Sequence, residues 1–334
     1  MSGDFVWRDA GRTVVFRRRG IAQAPQLLRE HGFGEFALLA SERSLAGGAE
    51  LREAAAAVHE VAPGQVPDLA AGLLGVAGEG PLVALGGGRV IDVAKAIAAV
   101  SGAPVAALPT TMSGAEMTGI HRLPAGAEGR ASSLARPTLV VADPETMTSQ
   151  SEPALRSSSM NALAHGIDSL LTPFANPVSV MTALRGAELI GSALNQDREE
   201  RDVSSLALGS LLCGYAIDSG SFSVHHVVCQ TLVRVCGSPH AETNAAILPG
   251  STTLLASRAP QRFEVLAEAL DTDLADLGAR IRQLGGEPAG LGAVGADRTQ
   301  LDAALEAILI RPELAFIPDP PGRDELAELI EAAW

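Results

Sequence analysis

The sequence predicts an α/β half followed by an all-α half. Up to Ala142, short β-branched or aliphatic runs alternate with Ala/Leu-rich helical stretches, the pattern of a parallel sheet with crossover helices. Beyond Asp143-Pro144 the strand signal fades while helical periodicity continues. With 47% hydrophobic and 19% charged residues over 334 positions, each half has enough apolar side chains for a core, and a disordered or fibrous chain is excluded.

In the first half Thr13–Phe16, Phe36–Ala40, Leu82–Leu85, Val105–Leu108 and Thr138–Ala142 read as strands. Ile21–His31, Ala49–His59, Val66–Gly78 and Val90–Val100 read as helices between them. In the second half Pro153–Leu171, Val178–Leu194, Val203–Ser219 and Arg262–Gln283 carry helical periodicity with Gly, Pro and Asn punctuation. Gly285–Gly295 reads as a flexible connection, and Ile317–Gly322 as a turn before a last helix, Arg323–Trp334. The change near Asp143–Ser151 divides the chain into domains 1–148 and 149–334, and a cleft between two such domains is the default small-molecule site.

Charge narrows the partners. Lys+Arg is 25 and Asp+Glu 39, and a net charge of −14 repels phosphate backbones and anionic membranes. Arg17-Arg18-Arg19 is the one dense basic run, and aromatics at 3% leave little for a stacked-ring nucleic-acid platform. Neither nucleic acid nor membrane is therefore an expected partner. Cys213, Cys229 and Cys236 form no disulfide or CxxC framework, and the N-terminus has no signal pattern, so a reduced cytoplasm is expected. Among the basic residues only Lys95 is a lysine; the rest are arginines.

Leu82–Leu85 runs into Gly86-Gly87-Gly88-Arg89 and a helix start, a strand–glycine turn–helix unit. Glycines let backbone N–H groups close on an anion and the helix N-terminus adds partial positive charge, so a dinucleotide pyrophosphate suits this turn as well as an empty tight turn does. The spacing is not the G-x-G-x-x-G fingerprint.

Five motifs in order resemble one family. GGGRVIDVAK (Gly86–Lys95) resembles the GGGS-x-x-D-x-x-K signature of the iron-containing alcohol dehydrogenase superfamily. PTTMSGAEMT (Pro109–Thr118) is similar to the PTTYAGSEMT of its maleylacetate reductase branch, and Val140–Pro144 to V-x-x-DP. MNALAHGID (Met160–Asp168) and His225–Pro249 resemble that branch's helical motifs, as does the closing helix. The resemblance implies a dehydroquinate synthase-like fold, a dinucleotide-binding α/β domain plus an all-α domain, and a homodimer. It implies that Gly86, Gly87, Gly88, Asp92, Thr110 and Thr111 hold NAD(H) or NADP(H), with Ser41 and Glu42 near the adenosine ribose.

Departures accompany the matches. Arg89 replaces a phosphate-binding Ser, and a guanidinium can still pair with phosphate. Glu42 favours NADH slightly, while the neighbouring Arg43 suits a 2′-phosphate. Asn161, His165, His226 and His240 stand where the alcohol dehydrogenase branch binds a metal with Asp and three His. Asn161 removes the carboxylate, as in maleylacetate reductases, so no bound metal is expected and the imidazoles read as hydrogen-bonded cleft groups. His31 and His59 read as surface groups on helices; His121 and His225 have no assigned context.

The family's second His of an H-x-x-x-H pair, expected beside the nicotinamide, is here Gln230, which cannot titrate near pH 7. Val233 and Arg234 replace a Gly pair and Met112 replaces Tyr. The pocket thus reads as rebuilt, with Arg234 or Arg122 receiving a substrate carboxylate. Lys95, three residues after Asp92, is in reach of it and is read with the cofactor residues.

Two functions follow. The first is a maleylacetate reductase-like NAD(P)H-dependent oxidoreductase acting on a small unsaturated or oxo carboxylate, with His226, His240, His165, Gln230 and Arg234 at the substrate end. The second is a non-redox dehydratase, isomerase or cyclase on the same scaffold, suited to secondary metabolism, with His226 or His240 as general base.

Overall fold

The structure is a computed structural model describing residues 5–9, 11–77, 80–127, 129–130 and 134–334. The chain divides into two units, Met1–Gln150 and Ser151–Trp334. The first is built on a seven-stranded sheet: β1 (Phe5–Asp9), β2 (Arg12–Phe16), β3 (Ala37–Ala40), β4 (Ala57–Glu60), β5 (Leu82–Gly86), β6 (Val105–Pro109) and β7 (Leu139–Ala142). Their order is β1-β2-β7-β6-β5-β3-β4. All neighbours are parallel except the β1–β2 hairpin.

Every residue of β3, β5, β6 and β7 is buried, as strands covered on both faces require. The period of two splits each strand between two cores. Leu39, Ala84 and Ala107 pack with Ile91, Ala94 and Ile97 of α5 (Gly88–Ser101). Leu38, Val83 and Ala106 pack with Leu27 and Leu28 of α1 (Ala24–Glu30) on the opposite face. The shorter helices α2 (Glu42–Gly47), α3 (Ala49–Ala54), α4 (Val66–Leu73) and α6 (Pro144–Met147) complete the unit.

The helix read over Ala49–His59 stops at Ala54, and His59 lies on the edge strand β4, paired with β3 alone. An edge strand of alternating half-buried and exposed residues has little apolar signal, and the alanine run from Ala54 to Ala57 masks the boundary. β1 escaped the strand reading altogether. The helix read over Val66–Gly78 has its last helical residue at Leu73, and Gly78 lies outside the described residues.

The second unit is helical: α7 (Glu152–Ser169), α8 (Pro177–Leu194), α9 (Val203–Gly220), α10 (Val224–Val235), α11 (His240–Arg258), α12 (Pro260–Ala269), α13 (Leu277–Leu284), α14 (Leu301–Leu309) and α15 (Arg323–Glu331). Asn176 and Asp202 cap α8 and α9 through their side-chain oxygens. α8 and α9 cross closely: a Cβ on Gly186 would lie 2.5 Å from Cys213 Sγ and 2.9 Å from the Gly209 carbonyl oxygen. The single helix read over Arg262–Gln283 is broken into α12 and α13. Asp271 takes a φ of +56°, and the Asp-Thr-Asp run offers side-chain partners that compete with helical bonds. Among the described residues no helix is long and apolar enough to cross a membrane, and all three cysteines are buried and free.

The lone lysine ties the sheet's central helix to the loop after β6. Lys95 Nζ, fully buried, donates to Asp92 Oδ1 (2.9 Å), the Ala115 carbonyl (3.0 Å), Thr118 Oγ1 (3.1 Å) and the Ile120 carbonyl (2.9 Å). Arg12 Nη1 donates to the Met117 carbonyl at 2.7 Å, so two cations hold one short loop. Between these contacts Glu116 is wholly buried, with no hydrogen-bond partner for either carboxyl oxygen among the described residues. Burial pushes its carboxyl up to about 7, and the Lys95 charge opposes this.

Two predictions follow from this clamp. Lys95→Met strips the donors from two buried carbonyls and should cost about 3 kcal/mol, lowering the thermal midpoint by roughly 6–12 °C. An unchanged melting curve would show that the clamp is dispensable. Glu116 binds its proton more tightly folded than unfolded, so its contribution to stability declines as pH rises from its ordinary value of 4.5 through about 7. Glu116→Gln copies the protonated form at every pH. The variant should match the parent at pH 5 and exceed it at pH 8 by up to about 3 kcal/mol, read by denaturant titration at both pH values. An equal difference at the two pH values would refute the buried titration.

Candidate active site

The turn from β5 into α5 is a cradle of backbone. Gly87 is the N-cap in an extended conformation with no side chain to occupy the helix end, and Gly87 O accepts from Val90 N (3.0 Å) and Ile91 N (3.2 Å). A Cβ on Gly86 would meet Val90 at 2.6 Å, on Gly87 Thr111 at 2.9 Å, and on Gly88 Ser113 at 3.1 Å, so the glycines admit the loop after β6 against the helix start. That loop is locked by Thr110 N donating to the Gly86 carbonyl at 3.0 Å. Thr110 Oγ1 is buried without a hydrogen-bond partner among the described residues. Thr111 is half-buried and Met112 fully buried.

Other expected cofactor residues are placed as follows. Arg89 is exposed in the first turn of α5, and Asp92 is 30% exposed and paired with Lys95. Lys95 itself spends its ammonium within the chain and supports the loop from behind. Glu42 and Arg43 are exposed at the start of α2, whose N-cap Ser41 accepts from Ser44 N at 3.3 Å.

The second unit gathers four imidazoles from three helices: His165 on α7, His225 and His226 on α10, His240 at the start of α11. Asp168, one turn beyond His165, organises them. Its carboxylate accepts from Ser223 N (2.9 Å), Ser223 Oγ (2.7 Å), His225 N (3.3 Å), His226 N (3.1 Å) and His226 Nδ1 (2.9 Å). One side chain of α7 thus caps the N-terminus of α10 and grips its imidazole. Burial by itself would raise the Asp168 carboxyl. The His226 hydrogen bond and charge, the nearby His225 and the Ser223 hydroxyl outweigh burial and hold it below the usual carboxylate range. An ionised Asp168 accepts, so His226 carries its proton on Nδ1 and presents Nε2, which is buried without a partner among the described residues.

His165 stacks on His226, ring centroids 4.9 Å apart and planes 19° apart. Burial first, then the neighbouring His226, His240 and His225, keeps its pKa well below the ordinary value. His225, which the sequence left without a context, is at the centre of the cluster. It is fully buried between Ser251 Oγ and Asn244 Oδ1, each at 2.8 Å, and burial takes its pKa down to about 3. Asn244 Nδ2 donates to the His240 carbonyl at 2.7 Å and reaches His240 Nε2 at 3.4 Å. His240 is exposed and Asn161 buried. His121, by contrast, serves its own loop, with Nε2 accepting from Ala135 N at 2.9 Å.

Gln230 lies one turn beyond His226 on α10, half-buried, and Arg234 another turn on, exposed. Gln230 Oε1 accepts from Arg311 Nη2 at 3.4 Å. Asp168, Asn244, Ser251 and Arg311 were not singled out in the sequence. For Asp168 the signal was present, since an acid three residues after His165 lies on the same helix face.

Residues 15–149 match the family model for iron-containing alcohol dehydrogenase, and residues 156–334 that for the C-terminal part of the Fe-containing alcohol dehydrogenase family. The chain is 31% identical to maleylacetate reductase 1 of Rhodococcus opacus, over 100% of this chain and 97% of that protein. It is 34% identical to maleylacetate reductase of Burkholderia cepacia over 75% of this chain and 73% of that one. The crystal structure of maleylacetate reductase from Rhizobium sp. strain MTP-10005 superposes with a TM-score of 0.83 at 26% identity, covering 100% of this chain and 99% of that one. From the glycine turn to the closing helix, the chain belongs to the iron-containing alcohol dehydrogenase family.

Proposed function

We propose that the protein is an NAD(P)H-dependent reductase of a small unsaturated or oxo carboxylate, like the maleylacetate reductases it resembles. In this reading residues 1–148 form the cofactor domain and residues 149–334 carry the substrate chemistry. The observation that carries it is the β5–α5 turn: free first-turn N–H groups, no capping side chain, and the orphaned Thr110 hydroxyl beside them fit a nicotinamide dinucleotide. When bound, that group supplies the hydride.

The chain's own residues do the rest. Gly87 and Gly88 bring backbone donors to the pyrophosphate, Arg89 adds a guanidinium from its exposed position, and Thr110 and Thr111 orient the ring end. Glu42 suits the ribose hydroxyls of NADH. In the helical unit Asp168 fixes the His226 tautomer, so Nε2 is the atom that takes up or releases the proton accompanying reduction. His165 and His240 flank it, and burial keeps His165 neutral.

The metal implied by the family name does not fit these residues. The carboxylate position is the neutral Asn161, and no group of three or more His, Cys, Asp or Glu among the described residues is arranged to hold an ion. The Asp168–His226 pair also favours one other reading, a general-base enzyme in which hydride transfer has lapsed.

Titration with NADH, followed by its fluorescence, should give saturable binding in the micromolar range. Gly87→Ala should weaken that binding at least about tenfold, because the added methyl meets Thr111. Lack of parent binding would end the reductase reading, and tight binding without oxidation of NADH by any oxo or unsaturated dicarboxylate would favour the general-base enzyme. Elemental analysis of protein purified without chelator should find well under one equivalent of transition metal. A stoichiometric metal would overturn the metal-free site.

A further inference from the structure

One face of α10 carries His226, Gln230 and Arg234 at successive turns, so the buried imidazole cluster continues into an amide and then a guanidinium. Against the middle of this stripe stands Arg311, just ahead of the 3-10 turn Pro312–Phe316. Its Nε donates to Glu313 Oε2 at 3.0 Å and its Nη2 to Glu313 Oε1 at 2.8 Å. This bidentate pair holds the guanidinium in one plane, and Pro312 between the two residues stiffens the backbone that carries them. Both partners are largely shielded, Arg311 being 24% and Glu313 20% exposed. The Arg311 hydrogen bonds hold the Glu313 carboxyl below its usual range, so the pair is ionised.

What this arrangement leaves over is donors. Nη2 also reaches Gln230 Oε1 at 3.4 Å, which turns the amide so that its NH2 group faces away from Arg311. Arg311 Nη1, Gln230 Nε2 and the exposed Arg234 guanidinium donate to no group of the described residues and are open to solvent. The donors of Arg234 and Gln230 on one face of α10, with Arg311 Nη1 against it, are thus available to the oxygens of a ligand in place of water. In a chain of net charge −14, such a cluster is out of keeping with the general surface.

We propose that Arg311, fixed by Glu313 and joined to Gln230, is a carboxylate receiver at the substrate end, with Arg234 closing it from the next helical turn. The assignment rests on the reading of the α10 imidazole cluster as the substrate end. A carboxylate fits because it offers only acceptors and two oxygens, one for Arg311 Nη1 and one for the Gln230 amide. Arg311, Arg234 and Glu313 together leave one positive charge, enough to meet one carboxylate group of a ligand. Gln230 then has a positive role: an amide held by Arg311 donates at every pH, where an imidazole would donate or accept according to its protonation. Arg311 sets which substrates are held beside His226; it takes no part in moving the proton.

The probe is maleate, titrated calorimetrically into the full chain with and without saturating NADH. The parent should bind it saturably. Arg311→Gln should weaken maleate at least about tenfold, the value of one charge-assisted contact, while NADH affinity is unchanged. Because Arg311→Gln leaves Glu313 unpaired, the double variant Arg311→Gln/Glu313→Gln, which removes both charges, is measured beside it and should show the same loss with a parent-like melting curve. Arg234→Gln should give a smaller loss in the same direction. Maleate affinity within about twofold of the parent in both Arg311 variants overturns the receiver, as does a parent that does not bind maleate. The NADH arm keeps the two readings apart. A protein that fails to bind NADH but loses maleate with Arg311 refutes the reductase and keeps the receiver, whereas normal NADH binding with maleate indifferent to Arg311 does the reverse.

Discussion

The Asp168 carboxylate is the contact on which the helical unit's site depends. A buried ionised carboxylate is tolerated only when its charge is met by donors, and here Ser223, His225 and His226 supply five. Those same donors are the start of α10, so neutralising the charge and placing the helix are one event. The direction of α10 sets the stripe His226, Gln230, Arg234, and the Nδ1 contact sets which nitrogen of His226 is offered. A neutral residue at 168 would leave three backbone N–H groups of α10 without acceptors and let the imidazole turn. The remaining histidines are ordered around that fixed ring, His165 by stacking and His225 edge-on at 5.0 Å.

The α/β unit uses the same device with the sign reversed. Lys95 is an ammonium met by oxygens, two of them backbone carbonyls of the loop that follows Thr110-Thr111. Desolvating a cation is tolerable because α5 and the loop supply the acceptors, and in doing so they hold the loop against the glycine turn. Glu116 is the exception that this leaves: its oxygens find no donors among the described residues, and burial favours the neutral acid up to about pH 7. A single lysine in a chain of arginines is consistent with this geometry, since a compact ammonium reaches four oxygens around a point where a planar guanidinium would not.

Legibility followed the strength of the local signal. The buried parallel strands were readable because both faces are covered and the runs are continuously aliphatic; β4 was not, because an edge strand alternates weakly and follows an alanine run. Long helices such as α8 and α9 were legible from their periodicity and punctuation, while the break at Asp271 depended on one left-handed residue that no periodicity reveals. In the site, residues within a motif were legible and those that meet through tertiary contact were not. His225 looked contextless because its partners Asn244 and Ser251 lie on a different helix, and Arg311 lies 81 positions from Gln230.

Sequence comparison alone makes Gln230 a loss, a titratable group removed from the reacting end. In three dimensions the replacement is linked to a cation that is itself held by an acid, and the polarity of the amide is set by that link. In the proposed reading the proton falls to His226, whose Nδ1 is held by Asp168, and position 230 has no acid–base role. An amide donates without changing charge, so binding at this position is insensitive to pH where an imidazole's would not be. The changes at 230 and 234 fall on one face of one helix, and the proposed receiver would account for both by separating the holding of an anion from the moving of a proton.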